Sequence, residues 1–126
     1  VALYEESAAQ GLVMAKVNLG YMYDNGLGIE QDKQKALALY KEAAYLKEPR
    51  GMINLAEMYR LGDNIEQSNT KAYMWSQLAR FYTQFTKDME AKWTARAMLD
   101  ALKKEMSPEE INLGEKLATE WISNNR

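Results

Sequence analysis

A shift of 36 residues lays the chain on itself. Residues 18–36 read NLGYMYDNGLGIEQDKQKA, residues 54–72 read NLAEMYRLGDNIEQSNTKA, and ten of these 19 positions are identical. The shared residues include Asn18/Asn54, Leu19/Leu55, Met22/Met58, Tyr23/Tyr59, Gly26/Gly62, Lys35/Lys71 and Ala36/Ala72. A repeat of this length is one small supersecondary unit that cannot bury its apolar face alone. Neighbouring units must cover one another, so the chain is constrained to an elongated stack.

Each unit reads as two helices. Ala15, Leu19, Met22 and Tyr23 follow the i, i+4, i+7, i+8 spacing of an amphipathic helix, and Gly51, Leu55, Met58 and Tyr59 repeat it. Gly26 and Gly62 end these helices, as a left-handed C-terminal position requires. Asp32 and Ser68 are N-caps for the second helices. The buried face there is Ala36, Leu39, Tyr40 and Ala43, then Ala72, Trp75 and Ala79 with Leu78 and Tyr82 alongside. Tyr23 and Tyr59 are expected to fill the groove between paired helices, with Leu19 also facing the core.

Leu3–Ala9 aligns with Leu39–Tyr45, so residues 1–11 read as the remnant of an upstream unit's second helix. The units proper are 12–47 and 48–84, and residues 85–126 are capping helices. Because the chain opens on Val1 partway along a helix, the parent protein is expected to carry at least one more first helix upstream. Residues 87–106 put Ala91, Ala95, Met98, Leu99, Leu102 and Met106 on one stripe. Ser107-Pro108-Glu109-Glu110 then starts a last helix: Ser as N-cap, Pro at the first position, Glu three residues after the cap. Its buried face is Ile111, Gly114, Leu117, Ala118 and Trp121. The fold class is all-α: a right-handed solenoid of antiparallel helix pairs closed by a C-terminal capping hairpin.

Composition narrows the chemistry. There is no Cys and no His, which leaves carboxylates, Lys, Tyr and Ser. Disulfides, Cys/His zinc sites, thiol catalysis and histidine bases are excluded. Sixteen basic and 18 acidic residues give a net charge of −2, spread evenly along the chain. That argues against broad nucleic-acid binding and against a polybasic membrane anchor. No apolar run approaches the roughly 18 residues of a membrane helix, and no signal-peptide pattern is present. The missing Cys suits cytosol and periplasm alike.

The pattern Ala15-x-x-Asn18-Leu19-Gly20-x-x-Tyr23-x-x-Gly26-x-Gly28-Ile29-x-x-Asp32-x-x-Lys35-Ala36-x-x-Leu39-Tyr40-x-x-Ala43-Ala44 resembles the Sel-one-like repeat, a relative of the tetratricopeptide repeat. The second copy keeps Asn54, Leu55, Tyr59, Gly62, Lys71, Ala72, Trp75 and Ala79. It departs at Asn64, where the family has a second loop glycine, at Ser68 in place of Asp, and at Ser76 in place of an aromatic. The segment from Ala72 to Ala79 with Met106–Glu110 and Leu117-Ala118-x-x-Trp121 is similar to the close of bacterial members. The resemblance implies an adaptor or scaffold, with no catalytic residues, cofactor or metal of its own, and a bacterial source. The motif specifies fold far more than function.

Three patterns suggest chemistry, and the repeat answers each. Ser68-Asn69-Thr70-Lys71 matches the S-x-x-K of serine β-lactamases and penicillin-binding proteins, the basis of an alternative reading as a peptidoglycan or β-lactam hydrolase. Ser68, however, aligns with the capping Asp32, and the companion Ser-Asp-Asn and Lys-Thr-Gly motifs are absent. Gly26-Leu27-Gly28 follows a helix, whose C-terminal dipole repels phosphate. Asp24, Glu30 and Asp32 lack the spacing of a calcium loop.

In tetratricopeptide-type stacks the first helix of each pair lines the concave face. The exposed inner stripe is therefore expected to comprise Val17, Tyr21, Asp24 and Asn25, then Ile53, Glu57, Arg60 and Leu61, with Arg50 near a helix start. Tyr21 supplies a flat contact, Arg60 a donor fork, Glu57 and Asp24 acceptors, and Val17 and Ile53 an apolar floor. This suits a protein or peptide partner, bound by a chain that is otherwise a monomer without membrane insertion. A third possibility is a purely structural segment of a longer repeat protein.

Overall fold

Helix ends in this chain are written by single residues, and the second unit copies the first. A computed structural model describes residues 2–126, with side chains described from Gly11 onward. It contains α1 (Ala2–Asn25), α2 (Lys33–Tyr45), α3 (Pro49–Leu61), α4 (Asn69–Tyr82), a 3-10 turn (Thr83–Phe85), α5 (Met89–Lys103) and α6 (Pro108–Asn124). Asp32 caps α2 by accepting the amides of Gln34 and Lys35, and Ser68 caps α4 through the amide of Lys71. Ser107 and Glu110 form the reciprocal capping box that opens α6.

The two inter-helix loops follow one path. Gly26 and Gly62 have φ of 64° and 72°, a region that side chains with a Cβ disfavour. The amides of Leu27 and Asp63 each donate to a methionine carbonyl one turn back, Met22 and Met58, at 3.0 Å. Asp32 and Ser68 donate their amides to the carbonyls of Tyr23 and Tyr59 at 2.9 and 3.0 Å. Asn64 takes the left-handed conformation of Gly28, at φ 59° against 71°, which Asn tolerates better than most residues. The loss of the second loop glycine therefore leaves the path intact.

Packing is tightest from α2 onward. A Cβ placed on Gly51 would lie 2.6 Å from the Cβ of Ala43 and 3.0 Å from the amide nitrogen of Ala44, so only a bare Cα lets α3 sit this close to α2. Met52, Leu55, Ala56 and Met58 of α3 and Ala72, Trp75, Leu78 and Ala79 of α4 are buried. The closing helices each pack along α4. Ala91, Ala95, Leu99 and Leu102 are buried on α5, while Gly114 of α6 sits against the Tyr73 ring. Trp75, only 3% exposed, anchors an aromatic cluster. Tyr45 stacks on it and Trp121 meets it edge-on, both with centroids 5.7 Å away.

α1 departs from the sequence expectation twice. The remnant assigned to residues 1–11 was expected to form a separate helix; Val1 lies outside the described residues, and the chain from Ala2 runs unbroken into α1. The second copy is interrupted at Lys47 and restarted by Pro49. The first has Val13 in place of that proline, so nothing obliges its helix to stop. The predicted core face is also displaced. Leu19 and Met22 are 39% and 38% exposed, whereas their equivalents Leu55 and Met58 are 1% and 2% exposed. Ala15 is exposed too. α3 is covered by both α2 and α4, whereas α1 packs chiefly on α2, and it turns Val17 and Gly20 inward instead. Tyr23 is half-buried against the core as expected.

Trp75→Ala is expected to cost about 3–5 kcal/mol of unfolding free energy, measured by urea denaturation. Trp121→Ala should cost less, because that ring is only half-buried. A loss below about 1 kcal/mol at Trp75 would contradict its place in the core.

Candidate functional site

α1, α3 and α5 together line an open groove of about 310 Å³. Val17, Asn18 and Tyr21 come from α1, Arg50, Ile53 and Asn54 from α3, and Glu90, Ala91 and Thr94 from α5. The structure thus joins four of the expected stripe residues, Val17, Tyr21, Arg50 and Ile53, in one groove. Val17 and Ile53 were expected on the exposed stripe, but at 4% and 8% exposure they are buried and form the floor. Tyr21 stands at the rim, 53% exposed.

The other five line no part of this groove. The Asp24 carboxylate takes the Lys33 ammonium and, at 3.3 Å, the Tyr40 hydroxyl. Lys33 also reaches Asp63 at 3.1 Å, tying the two loops together. The hydrogen bond to Asp24, with Asp63 adding to it, raises the Lys33 pKa against the opposing effect of burial. Asn25 turns back to donate to the carbonyl of Tyr21 at 3.0 Å. Glu57 and Arg60 satisfy one another one helical turn apart. Leu61 is exposed beside the loop.

Arg50 also has a structural partner. Its guanidinium grips Asp88 with two bonds, 2.6 and 2.9 Å long, so α3 is tied to the start of α5. Asp88 at the same time caps α5 by accepting the amide of Ala91 at 3.0 Å. Burial pushes the Asp88 carboxyl up, but the Arg50 and Ala91 bonds outweigh it and hold its pKa below the ordinary value.

Sequence reasoning missed Asn18 and Asn54, together with the α5 wall. The signal was present: both asparagines are identical between units, yet neither lies on the apolar stripe of its helix. Among the described residues neither side-chain amide is hydrogen-bonded to protein. Asn18 is exposed and Asn54 half-buried. Glu90, Ala91 and Thr94 could not be placed because α5 does not continue the repeat.

A Sel1 repeat model matches residues 13–47 and 49–80, more than half of the chain. The chain belongs to the Sel1 repeat family. Among solved structures it is similar to a protective antigen present in uropathogenic Escherichia coli strains displaying an SLR fold, with a TM-score of 0.77 and 21% identity. The match covers 97% of this chain and 25% of that one, so the present chain spans about a quarter of that structure's length. No curated protein matches the chain. Sel1 repeats are generally protein-interaction scaffolds and are typically non-catalytic.

The hydrolase-like pair finds other work within the Sel1 fold. The Ser68 hydroxyl accepts the amide of Lys71 at 3.1 Å as an N-cap. The Lys71 ammonium lies over the Tyr59 ring, 5.6 Å from its centroid, as Lys35 lies over Tyr23 at 5.3 Å. Among the described residues no cluster of three or more acidic, His or Cys side chains is placed to hold a metal. None of the described helices is long and apolar enough to cross a membrane. A wider cleft of about 1030 Å³ lies between Val13 and Met14, the turn at Leu46–Pro49 and the segment at Gln84–Asp88. Its carboxylates are spent on caps at Glu48 and Asp88, and its walls come from unlike loops.

The Arg50–Asp88 tie has a pH signature. A depressed folded-state pKa adds stability above the unfolded value, here near 3.8, which is lost as pH falls through the lower folded value. Arg50→Ala should therefore be destabilising at pH 7, with the gap to wild type narrowing below about pH 4. Urea unfolding at both pH values tests this; a gap that does not change with pH would remove Asp88 from the account.

Proposed function

We propose that this chain is a non-catalytic scaffold that binds an extended protein segment in the groove between α1, α3 and α5. The observation that carries the reading is the pair of side-chain amides, Asn18 and Asn54, without a protein partner among the described residues and set one repeat apart along one groove. A side-chain amide offers one acceptor and two donors, which matches the main chain of any peptide irrespective of its sequence. Val17 and Ile53 give an apolar floor beneath it, and Tyr21 a rigid amphipathic wall of the kind that anchors interfaces. Arg50, held by Asp88, shapes the groove from one side. Asp24, Asn25, Glu57, Arg60 and Leu61 form the outer margin that a longer partner would reach.

The groove favours contact over ionic attraction. Its lining carries one exposed carboxylate, Glu90, and one guanidinium already paired. Selectivity then comes from side chains of the partner that fit beside Tyr21 and over the floor, and affinity from main-chain bonds. The general role of Sel1 repeats in protein interaction supports this reading.

Peptides selected from a display library on the immobilised protein should lose about tenfold or more in affinity, roughly 1.4 kcal/mol, with Asn18→Ala/Asn54→Ala, and likewise with Tyr21→Ala. Thermal stability should be little changed, since these side chains are not core. Selected peptides that bind all variants equally would place the partner elsewhere on the molecule.

A further inference from the structure

The two closing helices leave part of α4 uncovered. α5 and α6 each pack along α4 but scarcely against each other. Between them lies a groove of about 660 Å³, within the size range of ligand sites, roughly 300–1,000 Å³. Gln77 and Phe81 of α4 and Gln84 of the turn that follows line it, with Ala118 and Ile122 of α6 beside them. Phe81 is held edge-on to Tyr82 and Phe85, with ring centroids 5.0 and 5.8 Å away, so its ring is a preformed apolar contact. This groove shares no residue with the one between α1, α3 and α5.

Three charged side chains line it: Arg80, Lys92 and Glu115. Glu115 is engaged by the Tyr73 hydroxyl, which donates to it at 3.0 Å. Arg80 and the half-buried Lys92 make no ion pair among the described residues, whereas Arg50 and Arg60 each grip a carboxylate. The groove also holds an unmet acceptor. The Gln77 side-chain oxygen is buried and has no donor among the described residues, an arrangement that costs free energy until a donor arrives. A turn of that amide toward the groove brings it to any N–H lying there.

We propose that the groove between α5 and α6 binds a segment of a partner protein in which an acidic side chain adjoins an apolar one. The carboxylate meets Arg80 and Lys92 in charge-assisted bonds. The apolar neighbour lies over Phe81 and Ile122, and a main-chain N–H of the segment supplies Gln77. Two cations beside the Glu115 carboxylate suit one isolated acid, since a polyanion would bring further like charge against Glu115. An open groove along a helix suits a chain laid across it better than a small molecule, which needs enclosure. This is a second contact surface, separate from the uncharged groove on the first helices and independent of it.

The probe is a fluorescein-labelled pool of heptapeptides in which Leu or Phe is flanked by Asp or Glu. The comparison is the same pool with Asn and Gln in their place. Fluorescence anisotropy on the whole chain should show the acidic pool binding several-fold tighter. In amide NMR spectra of the protein, the Gln77 and Gln84 side chains should shift with the acidic pool. Arg80→Gln/Lys92→Glu should abolish the acidic preference. Glutamate near the start of α5 suits the helix dipole, and circular dichroism checks that this variant folds. Lys41→Glu makes the same charge change as Lys92→Glu on an exposed part of α2 and should keep the preference. Binding of neither pool, equal binding of both, unmoved Gln77 and Gln84 amides, an acidic preference that survives Arg80→Gln/Lys92→Glu, or one lost equally in Lys41→Glu would each overturn the proposal.

Discussion

The stack depends on the absence of one methyl group. Gly51 brings the α3 backbone so close to Ala43 and Ala44 that any Cβ there would overlap them. Close-packed interiors transmit such a displacement instead of absorbing it. The contact sets where α3 lies relative to the first unit, and hence where α4 presents Trp75, Leu78 and Tyr82 for α5 and α6 to cover. It also sets the width of the groove, because α1 and α3 supply two of its three walls. Helix propensity could build every helix in this chain, but this contact fixes their spacing.

Around that spacing the charged side chains act mostly as ties. Lys33 bridges Asp24 and Asp63, joining the loops of successive units. Arg50 and Asp88 join α3 to α5, and Lys16 reaches Glu42 on α2. Exposed pairs of this kind contribute little individually, about 0–1 kcal/mol. Their effect here is register. Each links elements already packed through apolar faces, and each opposes sliding along the stack axis. A near-neutral chain thus spends several of its charges on these ties, and the groove keeps one carboxylate outside them, Glu90, beside neutral amides, a phenol and an apolar floor.

What the sequence reveals follows from what a repeat encodes. The caps at Asp32, Ser68 and Ser107, the left-handed stops at Gly26 and Gly62, and the core of the second unit are local or periodic, and all were legible. Asn64 was legible only as a departure, because its backbone tolerance is not visible in a pattern of identities. Leu19 and Met22 misled, since periodicity marks an apolar face without saying whether a neighbour covers it. Arg50 and Asp88 are 38 residues apart, and no spacing rule predicts their meeting. The groove was half legible: its first-helix origin and its floor residues were, but its third wall comes from α5, outside the repeat. Asp24 and Arg60 were expected to offer an acceptor and a donor fork on the exposed stripe, yet each has a partner within the fold.

Two kinds of position therefore coexist in the units. Most residues that match between them hold the stack: Tyr23 and Tyr59 carry Lys35 and Lys71, Gly26 and Gly62 turn the chain, and Ala36 and Ala72 admit a neighbour. Most that differ, such as Tyr21 against Glu57 and Asp24 against Arg60, face outward. Asn18 and Asn54 belong to neither set. They match, yet they cap no helix, bond no protein group among the described residues and fill no core. A leucine or glutamate would serve helix stability there at least as well. Packing and loop geometry explain most other identities in the repeat, with the exposed Glu30/Glu66 a further exception, but not this one. Its location, on the inner wall of the groove, is where a main chain laid across successive units would meet the same amide twice.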